Sequence, residues 1–193
     1  MAGINKRLNI VDEVSNGDIT IHVHSTPIRR EIWDEHYLLL TKFMSKMYEE
    51  GLTPPMGARI ALRLIRDIAT EMGETAVEKL DRQLLPEIWR LTNVLVPDPE
   101  RGGWSMLPFE KALKDGLIDD DDADIVKNHL VFFTAASWVH TPKECHEMIY
   151  PMMRGAFGSL ITSLTFTAYK DSLPTSTPAA TTGVMATASS MPS

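Results

Sequence analysis

The chain has 193 residues, the length of one domain with some additional sequence. Hydrophobic residues make up 44% and charged residues 23%, so the chain can bury a core. The formal net charge of −7 argues against a dedicated nucleic-acid-binding protein, which normally carries a basic surface. The single cysteine, Cys145, cannot form an internal disulfide, and the first residues lack the apolar stretch of a signal peptide. A cytoplasmic location is therefore expected.

The first predicted element is a β-hairpin within residues 1–25. Ile19, Ile21 and Val23 alternate with polar residues, which is the period of a half-buried strand. The Asn-Gly dipeptide before this strand can adopt positive φ angles at both central positions of a tight turn. Because an isolated hairpin is only marginally stable in water, we expect it to pack on the rest of the chain or to pair with another molecule.

A long helix follows the hairpin. Thr26 is a favourable N-cap, and Pro27 is a favourable first-turn residue. Residues 29–50 include no glycine or proline, and apolar side chains recur there at three- and four-residue steps. Gly51 is suited to end the helix. The pattern predicts one amphipathic helix with a face on the core.

Two further helices complete a first helix group, residues 26–94. One spans about residues 56–72 and the other about residues 74–93, where Pro86 is expected to kink or split the helix. Three arginines follow one face of the first of these helices. They are either a solvated surface paired with nearby carboxylates or a docking face for an acidic partner. These arginines are Arg59, Arg63 and Arg66.

A loop rich in proline and glycine, around residues 97–103, joins the first group to a second helix group, residues 105–172. An apolar cluster follows the loop immediately. It is either packed on the core or exposed as an anchor for a partner. The cluster consists of Trp104, Met106, Leu107 and Phe109.

The second group is predicted to contain three helical segments. A short helix spans about residues 108–115, and a longer one covers residues 125–139 after four aspartates, whose carboxylates are suited to capping a helix start. The sequence TPKE at residues 141–144 matches a capping box with proline at the first helical position. The last segment extends to about Tyr169, and its apolar stretch is shorter than a membrane-spanning helix requires. No membrane association is therefore expected.

The last residues, 173–193, are predicted to form a disordered tail. From Pro174 onward the chain has no charged and no aromatic residue, so it cannot bury enough surface to offset the entropy of ordering. The expected fold is therefore mainly α. It is a helical, bundle-like domain with a short N-terminal β-hairpin and a disordered C-terminal tail.

No catalytic signature is evident in the sequence. It has no dinucleotide-binding glycine motif, P-loop, HExxH or GxSxG, so we expect a non-enzymatic protein without a cofactor. His140, Cys145 and His146 lie close in sequence but lack the ligand spacing of a zinc site. His22 and His24 share one strand face, where exposed polar alternation explains them better than metal ligation.

The eleven methionines either fill an irregular core or line a surface that accepts varied apolar partners. The second interpretation suits a chaperone or adaptor. The predicted partner-binding residues combine the apolar side of the hairpin strand, the cluster after the loop and two methionines of the last helical segment. They are Ile19, Ile21, Val23, Trp104, Met106, Leu107, Phe109, Met152 and Met153.

The order of these elements resembles the tail assembly chaperones of long-tailed bacteriophages. The matching stretches are the β segment at residues 18–24, the long helix at residues 26–50 and the low-complexity sequence from Pro174. The resemblance implies a chaperone that binds the tape-measure protein and recruits tail-tube subunits in the host cytoplasm, with no catalytic residue. It also implies that a ribosomal frameshift can fuse a second domain to this one. Self-association is a further expectation, because a short hairpin gains from pairing.

Two other functions remain open. A structural subunit of a virion or another assembly would be present in stoichiometric amounts in the finished particle. A small metal-dependent enzyme would need a metal site at His140, Cys145 and His146, and elemental analysis would detect its metal.

Overall fold

A computed structural model of the chain describes residues 8–98, 100 and 102–174. Within these residues, five strands form one antiparallel sheet in the order β4-β3-β2-β1-β5. The strands are β1 (Asn9–Asn16), β2 (Ile19–Ser25), β3 (Thr92–Asp98), β4 (Gly103–Pro108) and β5 (Leu160–Thr162). The sheet therefore joins the N-terminal hairpin to segments from the middle and the C-terminal part of the chain.

Eight helices accompany the sheet in the same described residues. They are α1 (Arg30–Glu49), α2 (Pro54–Arg59), α3 (Ala61–Met72), α4 (residues 74–90), α5 (Phe109–Lys114), α6 (Asp120–Val139), α7 (residues 142–157) and α8 (Phe166–Ser172). Helices α1 to α7 share the main core with one face of the sheet. Helix α8 contributes to a smaller apolar cluster that also contains residues of β1, β3 and β4. None of these helices is both long enough and apolar enough to cross a membrane.

The prediction of a mainly α, bundle-like fold with only a short hairpin is therefore wrong. The largest error lies in residues 92–108, which were assigned to a helix end, a loop and a helix start but form β3 and β4. Val94 and Leu95 are both fully buried, because apolar residues cover both faces of β3. A strand buried on both faces lacks the two-residue alternation by which a half-buried strand is recognised.

Pro97 can lie within β3 because its backbone nitrogen is directed toward a position where β2 no longer pairs with β3. The carbonyl of Leu91 accepts a hydrogen bond from the N–H of Thr26 (3.2 Å), so alternate residues of β3, including Pro97, direct their backbone groups toward β2. The β2–β3 ladder ends at the pair of His22 and Leu95, two residues before Pro97. The missing N–H of this proline therefore removes no hydrogen bond from the ladder.

The N-terminal hairpin is present, but its turn is shifted by one residue from the predicted position. Asn16 pairs with Ile19, so Gly17 and Asp18 occupy the two central positions. Gly17 has a φ of 61°, and no non-glycine residue in the described part of the chain has a positive φ. A positive φ at the first central position alone is the requirement of a type II′ turn, where glycine is favoured.

Helix α1 begins at Arg30, later than the N-cap predicted at Thr26. The reason is that the N–H of Thr26 donates to the carbonyl of Leu91, which holds this residue beside the end of the β2–β3 ladder. The helix ends before Gly51, as predicted, and this glycine has a φ of 65°. The left-handed conformation closes the helix at little steric cost because glycine has no Cβ.

Helices α4 and α7 each continue through a proline by means of a π-helical turn. The turn covers Leu80–Leu84 before Pro86 in α4 and Cys145–Ile149 before Pro151 in α7. A proline lacks an N–H and its ring crowds the carbonyl four residues earlier, so a locally wider turn accommodates it. The predicted interruption at Pro86 is a local widening and not a split.

Helix α6 lies at the centre of the main core. Twelve of its twenty residues are buried, which is why its apolar residues do not form a single stripe. Asp119 caps its start by accepting a hydrogen bond from the N–H of Asp122 (2.8 Å), which confirms the capping interpretation of the four aspartates. The predicted capping box is confirmed too, since Thr141 and Glu144 exchange bonds between side chain and backbone N–H.

The predicted helical region up to Tyr169 is interrupted by a strand. Helix α7 ends at Phe157, Gly158 adopts a φ of 72°, and β5 then pairs with the first residues of β1. The predicted tail lies mostly outside the described residues, which end at Pro174. Leu173, at the start of that region, packs against the apolar cluster of α8.

Candidate protein-binding groove

A surface groove runs beside helices α3 and α6 and continues to the end of α7. It consists of two cavities of about 410 and 430 Å³, which share Arg59 and Asp124 as lining residues. The first cavity lies against α3, and the second reaches Phe157. The volume of the two cavities is large enough for several side chains of a partner.

Three arginines line the first cavity. Arg59 ends α2, and Arg63 and Arg66 follow on α3 at four- and three-residue steps, so the latter two share one helix face. Arg66 lies 3.5 Å from Asp81 in an exposed and therefore weak ion pair. Among the described residues, Arg59 and Arg63 form no salt bridge and no side-chain hydrogen bond. The alternative in which this stripe is neutralised by nearby carboxylates thus applies to Arg66 alone.

The floor of the first cavity is fixed by Asn128 of α6. Its Oδ1 accepts a hydrogen bond from the N–H of Leu62 (2.8 Å), which lies in the first turn of α3 and has no partner within its own helix. The Nδ2 of Asn128 donates to the carbonyl and to the carboxylate of Asp124 (2.8 and 3.1 Å). This buried amide therefore joins the start of α3 to α6 and orients Asp124 at the rim.

Two bulky aliphatic residues are exposed in the groove. Ile60, between α2 and α3, is 41% exposed, and Ile125 is 52% exposed although α6 is largely buried. Each is bordered by charged side chains of the groove. Apolar side chains of a partner that covered them would be removed from water together with them, at about 25 cal/mol per Å² of apolar surface. Each cavity of the groove can therefore offer an apolar contact beside a cationic one.

The predicted partner-binding residues of the hairpin are divided between core and surface. Ile21 and Val23 are fully buried in the main core, while Ile19 at the start of β2 is 37% exposed. The side chains of Ile21 and Val23 are thus already in contact with the chain's own helices. In this folded form they are not accessible to a partner.

The cluster after the loop covers the edge strand β4 and the first residue of α5. Met106 is 59% exposed, Trp104 and Leu107 are half-buried, and Phe109 is fully buried with its ring 5.7 Å from that of Trp89. The indole N–H of Trp104 donates to the carbonyl of Pro174 (3.0 Å). Of this cluster, Met106 presents the most exposed side chain.

The two methionines of α7 belong to the main core. Met153 is fully buried, and Met152 is partly buried against the same cluster. The arginine stripe of the groove was recognisable in the sequence, whereas Ile60, Ile125 and Asn128 were not predicted to belong to a binding site. Their exposure and contacts depend on how α3 packs on α6, which a local sequence pattern does not reveal.

The residues of the hypothetical metal site are not arranged as ligands. Cys145 is fully buried, and its Sγ lies 3.8 Å from the carbonyl oxygens of Ala136 and Ser137. The ring of His146 contacts that of Tyr150 at 5.2 Å. Within the described part of the chain, no group of three or more histidine, cysteine, aspartate or glutamate residues is placed to hold a metal ion.

An aspartate, a histidine and a serine meet inside the core without forming a catalytic triad. Asp12 of β1 accepts hydrogen bonds from Ser159 Oγ (2.5 Å) and from His129 Nδ1 (3.2 Å), and all three residues are buried. A nucleophilic serine needs its hydroxyl bonded to the histidine, with the carboxylate behind that histidine. Here the carboxylate lies between the other two. The arrangement provides hydrogen-bond partners for a buried carboxyl group and does not activate Ser159.

His22 and His24 are buried under α8, in contrast to the exposed polar alternation that was predicted. His22 is 7% exposed and His24 is fully buried. The Nδ1 of His22 lies 3.1 Å from the hydroxyl of Tyr169 and 3.4 Å from Glu13, and the Nε2 of His24 donates to the carbonyl of Leu164 (3.2 Å). Burial lowers the pKa of both histidines, partly offset for His22 by Glu13 and for His24 by the bond to Leu164, and burial raises the pKa of Tyr169 to about 12.

Acidification is expected to destabilise this contact between α8 and the sheet. Because each histidine has a lower pKa in the folded chain than in the unfolded chain, protonation favours unfolding, and stability is lost as the pH falls below about 6.5. The variant His24→Gln keeps a donor for Leu164 but cannot be protonated. Urea unfolding between about pH 7.5 and pH 5 should therefore show a shallower loss of stability for His24→Gln than for the wild type. An equal slope for the two proteins would contradict this role of His24.

Comparisons of the chain with protein-family models, with curated proteins and with solved structures found no match.

Proposed function

We propose that this protein is a non-catalytic assembly chaperone or adaptor that binds a protein client in the groove between α3 and α6. The observation that carries the proposal is the combination of exposed Ile60 and Ile125 with Arg59 and Arg63, which have no partner in the described part of the chain. Protein interfaces commonly combine a central apolar contact with arginine, and arginine is frequent among residues that dominate binding energy.

The groove suits a protein client because its walls are helices that a buried residue holds together. Asn128 joins α3 to α6, so the two walls do not need to be organised when a partner arrives. Pre-organised walls reduce the ordering cost of binding. A helix laid into an apolar groove is a common mode of peptide recognition, in which anchors recur at three- and four-residue steps.

The resemblance to phage tail assembly chaperones suggests a specific client. In that case the groove would bind the tape-measure protein, a long helical chain, and the complex would recruit tail-tube subunits in the host cytoplasm. The support for the client's identity is the order of elements in the sequence. The support for a binding role is the groove, which is independent of the corrected fold prediction.

Co-expression of this chain with the tape-measure protein of the same source tests the proposal. We expect the two to co-purify, and we expect the double variant Ile60→Asp/Ile125→Asp to retain at least about tenfold less client, because two interface anchors are lost. Met106→Asp is the control, since it places a negative charge on an exposed apolar residue outside the groove, at the edge strand β4. The proposal fails if the wild type retains no client, or if Met106→Asp loses the client and the groove variant keeps it.

A further inference from the structure

We infer that the segment bound in this groove is an acidic amphipathic helix, an inference that rests on the proposed function. The first argument is charge. Three arginines and two aspartates, Asp67 and Asp124, line the groove, whereas the whole chain has a formal net charge of −7. The groove thus has a positive surplus on a predominantly acidic protein, and a partner with carboxylates would be attracted to it in preference to the remaining surface.

The second argument is the unused bonding capacity of the guanidinium groups. Arg59 and Arg63 have no side-chain partner among the described residues, and the 3.5 Å contact of Arg66 with Asp81 is weak enough to be exchanged. Each guanidinium can bind a carboxylate through two parallel hydrogen bonds. An acidic client would supply these acceptors without removing any strong bond within the protein.

The third argument is geometry. Arg63 and Arg66 lie about 4.5 Å apart along α3 at the helical rise of 1.5 Å per residue, close to one turn of a partner helix, and Arg59 at the end of α2 lines the same cavity. Carboxylates at three- or four-residue steps on that helix would face the arginines, and apolar residues beside them would contact Ile60 and Ile125. An acidic helix therefore matches the charged and the apolar parts of the groove at the same time.

A nucleic acid fits the same surface poorly. Its phosphates recur at every nucleotide and would meet the carboxylates of Asp67 and Asp124, whereas a peptide helix can place uncharged residues opposite these two aspartates. A phosphate backbone also offers no apolar side chain to cover Ile60 and Ile125. The mixture of three cations, two anions and two exposed aliphatic residues favours a peptide.

Fluorescence anisotropy with two synthetic peptides tests the inference. The first probe is an amphipathic helical peptide of about 18 residues, with leucines at three- and four-residue steps and glutamates flanking them. The second replaces every glutamate with glutamine. We expect the acidic peptide to bind at least about tenfold more tightly, and the advantage to shrink at high salt. We expect Arg59→Glu/Arg63→Glu to abolish the advantage, while the control Arg30→Glu/Arg82→Glu, which makes the same charge change at exposed arginines outside the groove, preserves it.

Several results would overturn the inference. They are equal affinity for the two peptides, no binding of either, the same loss in the control variant, or binding of an 18-nucleotide single-stranded RNA in place of the acidic peptide. Conversion of a dimer to a monomer by the groove variant, without any effect on peptide affinity, would assign the groove to a second copy of the chain. If both peptides bind equally well and Ile60→Asp abolishes the binding of both, only the acidic character of the bound helix is overturned. The proposed function then remains intact.

Discussion

Replacing Asp12 with alanine is expected to lower the free energy of unfolding by about 3–5 kcal/mol. The carboxylate is buried between β1 and α6, where it accepts hydrogen bonds from Ser159 and His129. Its removal leaves two buried polar groups without their acceptor, and each unsatisfied group costs about 1–3 kcal/mol. Urea unfolding monitored by circular dichroism measures the change.

Asp34→Ala is the matched control for this prediction. Asp34 also contacts a basic side chain, Arg30 at 3.6 Å, but both partners are more than half exposed. An exposed pair of this kind contributes about 0–1 kcal/mol. A loss at Asp12 no larger than the loss at Asp34 would show that the buried network does not stabilise the junction between the sheet and α6.

Replacing Phe133 with alanine is expected to destabilise the protein by about 3–5 kcal/mol, since it removes a large buried side chain and leaves a cavity. Phe133 is 1% exposed, and its ring lies 6.4 Å from that of Tyr150 on α7. The variant therefore tests whether α6 is the centre of the main core. Thermal and urea unfolding should both report the loss.

Ile125→Ala provides the comparison on the same helix. Ile125 is 52% exposed, so its truncation should change the free energy of unfolding by at most about 0.5–1 kcal/mol. Similar losses at Phe133 and Ile125 would contradict the buried position of α6. The control is also useful for binding, because it removes an apolar contact of the groove from a protein that remains folded.

Local signals in the sequence identified the features that depend on a few neighbouring residues. The hairpin, the end of α1 before Gly51, the cap at Asp119 and the capping box at residues 141–144 were all recognisable in this way. Each requires a particular residue type at a particular position of a turn or helix end. Such features can be predicted from the sequence without knowledge of the fold.

The sheet could not be predicted from the sequence because its strands pair with segments that are distant in the chain. Strand β5 has three residues and is defined by its pairing with Asn9–Val11, about 150 positions earlier in the chain. Strand β3 is apolar on both faces because α8 covers the side opposite the main core. The burial of His22 and His24 has the same cause, and their alternation in the sequence suggested an exposed face.

Only part of the candidate groove could be predicted from the sequence. The spacing of Arg63 and Arg66 placed them on one helix face. Whether each arginine forms an ion pair depends on which carboxylates the fold brings close to it. Ile125 follows four aspartates on a helix whose other apolar residues are mostly core, so nothing local distinguishes its exposed position. These properties arise from the packing of α3 on α6.

The most direct test of the binding role is to map the contact of the acidic helical peptide on the isotope-labelled protein by nuclear magnetic resonance. We expect amide chemical-shift changes to concentrate at residues 59–67 and 124–129, together with residues 156–157 at the end of α7. We also expect these changes to be lost in Ile60→Asp/Ile125→Asp. Changes centred on the edge strand β4 or under α8, or no changes at all on saturation with the peptide, would contradict binding in the groove.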